Sequence, residues 1–268
     1  MFTKEEIQSI AKEQRKPAGV IDKDYALEWL LYGIYHKDSK IKDYFVFKGG
    51  TSIRKIFFPN TWRFSEDLDF TLLSNTDPDI IRPGLQEIYG ILESECGIIY
   101  EEDEINIPSS GNAVFGHIQF TGPLGMKNRI KIDASRIEKM IDTPTTQIIN
   151  ATYDDLSDFP VTGYTFNEVI SEKIRSMMQR SKVRDYYDVW KLFQPEHNID
   201  TKIIGHMVKK KCQINGIEYL PNKIFASERL EEMKKYWKRD LERLVVEDLP
   251  EPDSVFNEMK NILRCLPN

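Results

Sequence analysis

The sequence predicts an α+β protein in two parts, a mixed α/β half over residues 1–160 and a helical half over residues 161–268. Two observations carry that reading. Before residue 160, short apolar runs with period-two alternation are interspersed with helical stretches. After Tyr164, apolar residues recur only at helical spacing. No internal repeat or low-complexity stretch interrupts either half, and 268 residues suffice for one large domain or two small ones.

The elements follow in order. Thr3-x-x-Glu6 reads as a capping box opening a helix over 3–13. Ala26, Trp29, Leu30, Gly33 and Ile34 give a helix over 22–36 one buried face. The aromatic run 44–47 reads as a strand ended by Gly49 and Gly50. A helix over 51–58 follows, broken by Pro59 and Asn60. A strand over 67–73 precedes a helix over 79–95, and further strands are predicted over 98–100, 114–120 and 129–133. Residues 142–163 read as irregular. Helices are then expected over 166–180, 184–193, 201–212, 227–245 and 254–263.

Composition narrows the function classes. Apolar residues make up 40% and charged residues 30%, which excludes disordered and collagen-like chains. No apolar run approaches the ~20 residues that span a bilayer. The start lacks the basic-then-apolar order of a signal peptide, so the chain is expected to stay in the cytoplasm, with no membrane partner. Cys96, Cys212 and Cys265 are odd in number and far apart, as expected of reduced thiols. His36, His117, His197 and His206 never fall at metal-ligand spacing. A net charge of −6 argues against indiscriminate coating of nucleic acid, while leaving room for a defined RNA site.

The chemistry concentrates on Asp67-Leu-Asp-Phe-Thr-Leu-Leu73. Asp67 and Asp69 share one side of a strand, roughly 6–7 Å apart at the base, while Leu68, Phe70 and Leu72 anchor the other. Two carboxylates so placed repel unless a cation sits between them. Mg²⁺, or Mn²⁺, is the natural choice, since hard oxygen ligands suit it and it keeps positions open for phosphate. A bare Asp-x-Asp is common in surface strands, so its context decides. Gly49-Gly50-Thr51 ends a strand and opens a helix just upstream. Glycines there let backbone approach phosphate oxygens, and a helix N-terminus offers free N–H groups. In Arg129-Ile-Lys-Ile-Asp133 the apolar residues alternate inward, leaving Asp133 able to join the pair if the strands are neighbours.

These residues resemble a known family. Phe47-Lys-Gly-Gly-Thr-Ser-Ile-Arg54, then Arg63-Phe-Ser-Glu-Asp-Leu-Asp-Phe70, resemble the AbiEii/AbiGii toxin family of nucleotidyltransferases, within the polymerase-β-like superfamily. Lys131-Ile-Asp133, the Glu172-Lys-Ile segment, and Arg180 followed by Arg184-Asp-Tyr-Tyr-Asp188 continue the likeness in order, and Lys23-Asp-Tyr25 precedes it. The resemblance implies a nucleotidyltransferase-fold mixed sheet flanked by helices, with a helical C-terminal part. It implies transfer of a nucleoside monophosphate from a nucleoside triphosphate, with pyrophosphate released. Some members act on the acceptor end of tRNA and serve as toxins beside an antitoxin, often in phage defence. Carried over residue by residue, Gly49, Gly50 and Thr51 match the phosphate-binding turn. Arg63 and Ser65, in the run before the acids, are counted with the nucleotide-binding residues. Asp67, Asp69 and Asp133 match the metal-binding acids. Lys173 matches a lysine on the triphosphate, and Asp185 the acid of the last motif. The sixteen residues between Gly50 and Asp67 exceed the spacing in most relatives outside the family.

Arg180, Lys182 and Arg184 are basic candidates for nucleotide or RNA phosphate contacts. Lys209, Lys210 and Lys211, with Lys234, Lys235, Tyr236, Trp237, Lys238 and Arg239, form a second basic and aromatic set. There Trp237, at helical spacing with Leu230 and Leu241, reads as core. The alternatives are a small-molecule nucleotidyltransferase with another acceptor pocket, and a non-catalytic nucleotide- or RNA-binding module.

Overall fold

The computed structural model describes residues 1–73, 76–108, 112–264 and 266. They form two compact units, one of Met1–Glu138 with Pro144–Tyr164, the other of Lys139–Thr143 with Thr165–Asn268.

The first unit is built on one mixed seven-stranded sheet. Its strands are β1 (Phe45–Lys48), β2 (Asp67–Leu72), β3 (Ile99–Asn106), β4 (Ala113–Thr121), β5 (Lys127–Ser135), β6 (Thr145–Ile149) and β7 (Phe159–Gly163), in the order β3-β4-β5-β2-β1-β7-β6. β2 runs parallel to β5 and antiparallel to β1, and β1 meets β7 in parallel at Phe47 and Gly163. Alternation sorts the faces. Leu68, Phe70 and Leu72 of β2, with Ile130, Ile132 and Ala134 of β5, are buried on one side. Asp67, Asp69 and Asp133 stand on the other.

Among the described residues this unit also carries the helices α1 (Lys4–Glu13), α2 (Ala18–Tyr35), α3 (Gly49–Ser52) and α4 (Ile81–Cys96). The capping box is made, with Glu6 N–H donating to Thr3 Oγ1 at 3.2 Å and Thr3 N–H to the Glu6 carboxylate at 2.7 Å. α2 is buried on nearly every side, acids included.

Two stretches differ from the sequence reading. Residues 142–163 are not wholly irregular: they contain β6 and β7. Pro144, Pro160 and Gly163 obscured these five-residue strands, since proline in a run normally argues against a paired strand. Pro160 is tolerated because β7 pairs with β6 along its length but with β1 only at Gly163. β3 also extends to Asn106, through Glu101, Glu102, Asp103 and Glu104. It is an edge strand, where charge guards against further pairing and masks the strand pattern.

The second unit is helical: α5 (Phe166–Gln179), α6 (Val183–Leu192), α7 (Thr201–Ile214), α8 (Ser227–Leu241) and α9 (Pro252–Arg264). Thr165 caps α5 by accepting from Glu168 N–H at 3.2 Å. Glu168 in turn accepts from the Ile141 and Asp142 amides, at 3.0 and 3.2 Å, which draws that short segment into the unit. Trp237 is core, with its indole N–H donating to Pro250 O at 2.7 Å. Lys211 is fully buried between Glu168 (2.8 Å) and Glu172 (2.9 Å), so the lysine triplet of α7 is not a uniform basic face. Cys96 and Cys212 are buried free thiols, and Cys265 lies outside the described residues. No helix among the described residues is long and apolar enough to cross a membrane.

Candidate active site

Strand register aligns the acids. Asp69 of β2 has Asp133 of β5 as its partner on one side and Lys48 of β1 on the other. Asp133 is in turn opposite Phe115 of β4. Directly opposed residues point to the same face, so Lys48, Asp69, Asp133 and Phe115 form one row across four strands. Asp67 lies in the next row, opposite Lys131. The Lys131 ammonium stands 3.3 Å from the Asp133 carboxylate, both side chains nearly half exposed.

The glycine turn closes on this row. α3 (Gly49–Ser52) starts at Gly49 itself, two residues earlier than the sequence suggested, and runs into a π-helical turn, Ile53–Phe57. Gly49 takes φ +83°, and a β-carbon there would lie 2.9 Å from Asp69 Cβ and 3.0 Å from its carboxyl carbon. The absent side chain is thus the space that Asp69 occupies. At Gly50 a β-carbon would meet the Arg63 guanidinium at 2.8 Å and Ser65 Oγ at 3.4 Å. Arg63 donates to Phe64 O at 3.0 Å and to Ser65 Oγ at 3.3 Å. The Thr51 hydroxyl donates to Asp67 O, tying the turn to the acid strand. Gly49, Gly50, Thr51, Arg63, Ser65, Asp67, Asp69 and Asp133 therefore come together in the first unit.

A buried ionic cluster holds the turn in place. Lys55 is bonded to Asp24 at 2.8 Å and to Glu28, and Arg54 reaches Asp24 at 3.3 Å. Tyr153 donates to Asp24 at 3.0 Å. The Arg54 guanidinium also lies 3.9 Å from the Phe64 ring centre, just before Ser65. Burial pushes the Asp24 carboxyl up, but Lys55 and Arg54 outweigh it and hold it below its ordinary value. The π-helical turn points Arg54 and Lys55 inward together; such turns recur at functional sites. The sequence reading missed this cluster. Its signal was Asp24 and Glu28, four residues apart on a largely apolar helix. Lys48 was also missed as a site neighbour. It is buried, paired with Glu138, and shares the Asp69 row.

The remaining candidates lie in the second unit. Lys173 on α5 bonds Asp185 at 2.9 Å and Asp188 at 2.8 Å, both on α6. Arg180 donates to the other Asp185 oxygen at 2.9 Å, with half its side chain exposed. Burial pushes Asp185 up, yet Lys173 and Arg180 bring it down to about 2. Arg184 is part-exposed in the first turn of α6.

The donor set suits a hard divalent cation, since carboxylate oxygens of Asp67, Asp69 and Asp133 share one face. Among the described residues no three carboxylate, imidazole or thiol groups close into a metal cage.

The model of the nucleotidyl transferase AbiEii toxin family, type IV toxin–antitoxin system, matches residues 29–258 of the chain. Among solved structures the chain is similar to MenT4, a nucleotidyltransferase toxin from Mycobacterium tuberculosis H37Rv. The TM-score is 0.65 at 16% identity, over 100% of this chain and 91% of that one. No curated protein matches the chain in sequence.

Proposed function

The chain belongs to the AbiEii nucleotidyltransferase toxin family of type IV toxin–antitoxin systems, and on that footing we propose that it transfers a nucleoside monophosphate to an RNA 3′ end, that of tRNA. The observation that carries the transfer step is the row Lys48–Asp69–Asp133 with Gly49 packed against Asp69. It sets the Gly49–Gly50 turn directly beside the paired acids.

In this reading the first unit is catalytic and the helical unit supports it. The backbone N–H groups at Gly49 and Gly50 cradle the triphosphate, with Arg63 and Ser65 beside them. Asp67 and Asp69 would hold Mg²⁺ or Mn²⁺, with Asp133 as a further ligand. Such an ion, when bound, neutralises phosphate charge and lowers the pKa of the attacking hydroxyl. Asp133 takes the proton of the acceptor hydroxyl. Lys173, Arg180 and Arg184 of the helical unit are proposed as phosphate contacts of nucleotide or RNA. The protein acts in the cytoplasm as the toxin of a pair with a separate antitoxin, in phage defence.

The test is incubation of the protein with each labelled nucleoside triphosphate and total RNA under Mg²⁺ or Mn²⁺. Label in tRNA, absent with Asp69→Asn, supports the proposal. An active protein that labels a small molecule and no RNA overturns the acceptor assignment.

A further inference from the structure

Phe115 continues the row that runs Lys48, Asp69, Asp133, Phe115, with Asn106 of the edge strand β3 beyond it. It is 42% exposed, on the face that carries the acids. A large aromatic left half in water beside carboxylates forgoes burial that core positions would give it. Its strand is shaped at this point. Pairing of β3 with β4 shifts between Asp103, opposite His117, and Asn106, opposite Phe115, so an extra residue bulges out of β3. Gly116 takes φ +153°, and a β-carbon there would lie 2.9 Å from the Glu104 carbonyl carbon and 3.0 Å from Ile105 Cα. Glu104 itself takes φ +59°, costly for a residue with a side chain. Bulges of this kind re-aim side chains near functional sites. Two backbone irregularities thus converge next to one exposed ring.

The order along the row says what the ring meets. The glycine turn lies at the end of β1, on the Asp69 side, where the triphosphate is proposed to sit. Asp133 comes next, where the acceptor hydroxyl is proposed to sit. Phe115 lies beyond it, away from the triphosphate, with its Cβ roughly 4.5–5.5 Å from that of its strand partner Asp133. We propose that Phe115 is the stacking platform for the 3′-terminal base of the RNA acceptor. The inference rests on the RNA reading above. The terminal ribose presents its 3′-hydroxyl to Asp133, and the attached base lies over the phenyl face. A phenyl ring offers no hydrogen bonds to a base edge, so Phe115 positions the terminal nucleotide without choosing its identity.

The test uses a short single-stranded RNA carrying 2-aminopurine at its 3′ end, titrated with the full chain. Stacking on wild-type protein quenches its fluorescence. Phe115→Ala is expected to lose the quench and to bind roughly five- to a hundredfold more weakly, while Phe115→Trp restores both. In transfer assays Phe115→Ala raises the KM for RNA and leaves the KM for the nucleoside triphosphate within about twofold of wild type. Equal quenching by wild type and Phe115→Ala, no quenching by wild type, or a rise confined to the triphosphate KM overturns the inference. The two readings fail separately. Protein that transfers nucleotide to RNA with no dependence on Phe115 removes only the platform. Protein that quenches through Phe115 but never labels RNA removes only the proposed transfer.

Discussion

Gly49 and Asp69 share one pocket of space: a β-carbon on the glycine would stand 2.9 Å from the β-carbon of the aspartate. Gly49→Ala has to displace the Asp69 carboxylate and hold alanine at positive φ, the latter costing about 1–2 kcal/mol. We expect transfer to fall at least ~100-fold, equivalent to about 2.7 kcal/mol, with thermal stability lowered by a few degrees. Activity near wild type in a folded variant would show that Asp69 is not held by this turn.

Asp69→Asn keeps the side chain's shape and removes one negative charge. The fold should be unchanged by circular dichroism, because Asp69 is part-exposed on the open face of β2. Transfer should be abolished across a Mg²⁺ titration, since weaker hard-oxygen donation is not recovered by more metal. Restoration of full activity at high Mg²⁺ would reduce Asp69 to an affinity role.

The Asp24–Glu28–Arg54–Lys55 cluster is almost wholly shielded from water. Lys55→Met leaves buried Glu28 without a cationic partner and Asp24 with Arg54 alone, and breaking one partner of such a cluster costs about 3–5 kcal/mol. Urea unfolding should report that loss, and the triple change Asp24→Asn, Glu28→Gln, Lys55→Met should recover part of it. No recovery would indicate that lost packing rather than unpaired charge sets the cost.

Lys173 neutralises two buried carboxylates, so Lys173→Ala is expected to destabilise the helical unit as well as weaken triphosphate use. Adding Asp188→Asn should return stability while leaving the KM for the triphosphate high. If both defects are cured together, Lys173 is structural only.

Asp185 titrates at about 2 when folded, below its ordinary 3.8. A depressed carboxylate contributes stability that is complete above the unfolded value and lost as pH falls through the folded one. Stability measured by urea should therefore decline from about pH 4 toward pH 2. Asp185→Asn, less stable at neutral pH, should show a shallower decline over that window. Parallel curves for the two proteins would show that Asp185 does not supply the slope.

Much of this protein is determined locally and is therefore legible in sequence. The capping box at Thr3, the amphipathic helices after Phe166, and Asp67 and Asp69 on one side of a strand all follow from spacing within a few residues. What spacing cannot give is which strand lies beside which. Only the sheet order decides that Asp133, far along the chain, stands next to Asp69, with Lys48 and Phe115 extending the row. β6 and β7 are short, with Pro144 just before the first and Pro160 inside the second, so pairing rather than pattern makes them strands. Burial, likewise a property of the packed chain, turned Lys211, Lys55 and Lys173 from ordinary helix lysines into partners of enclosed carboxylates, because a charge removed from water must find its opposite within hydrogen-bond reach.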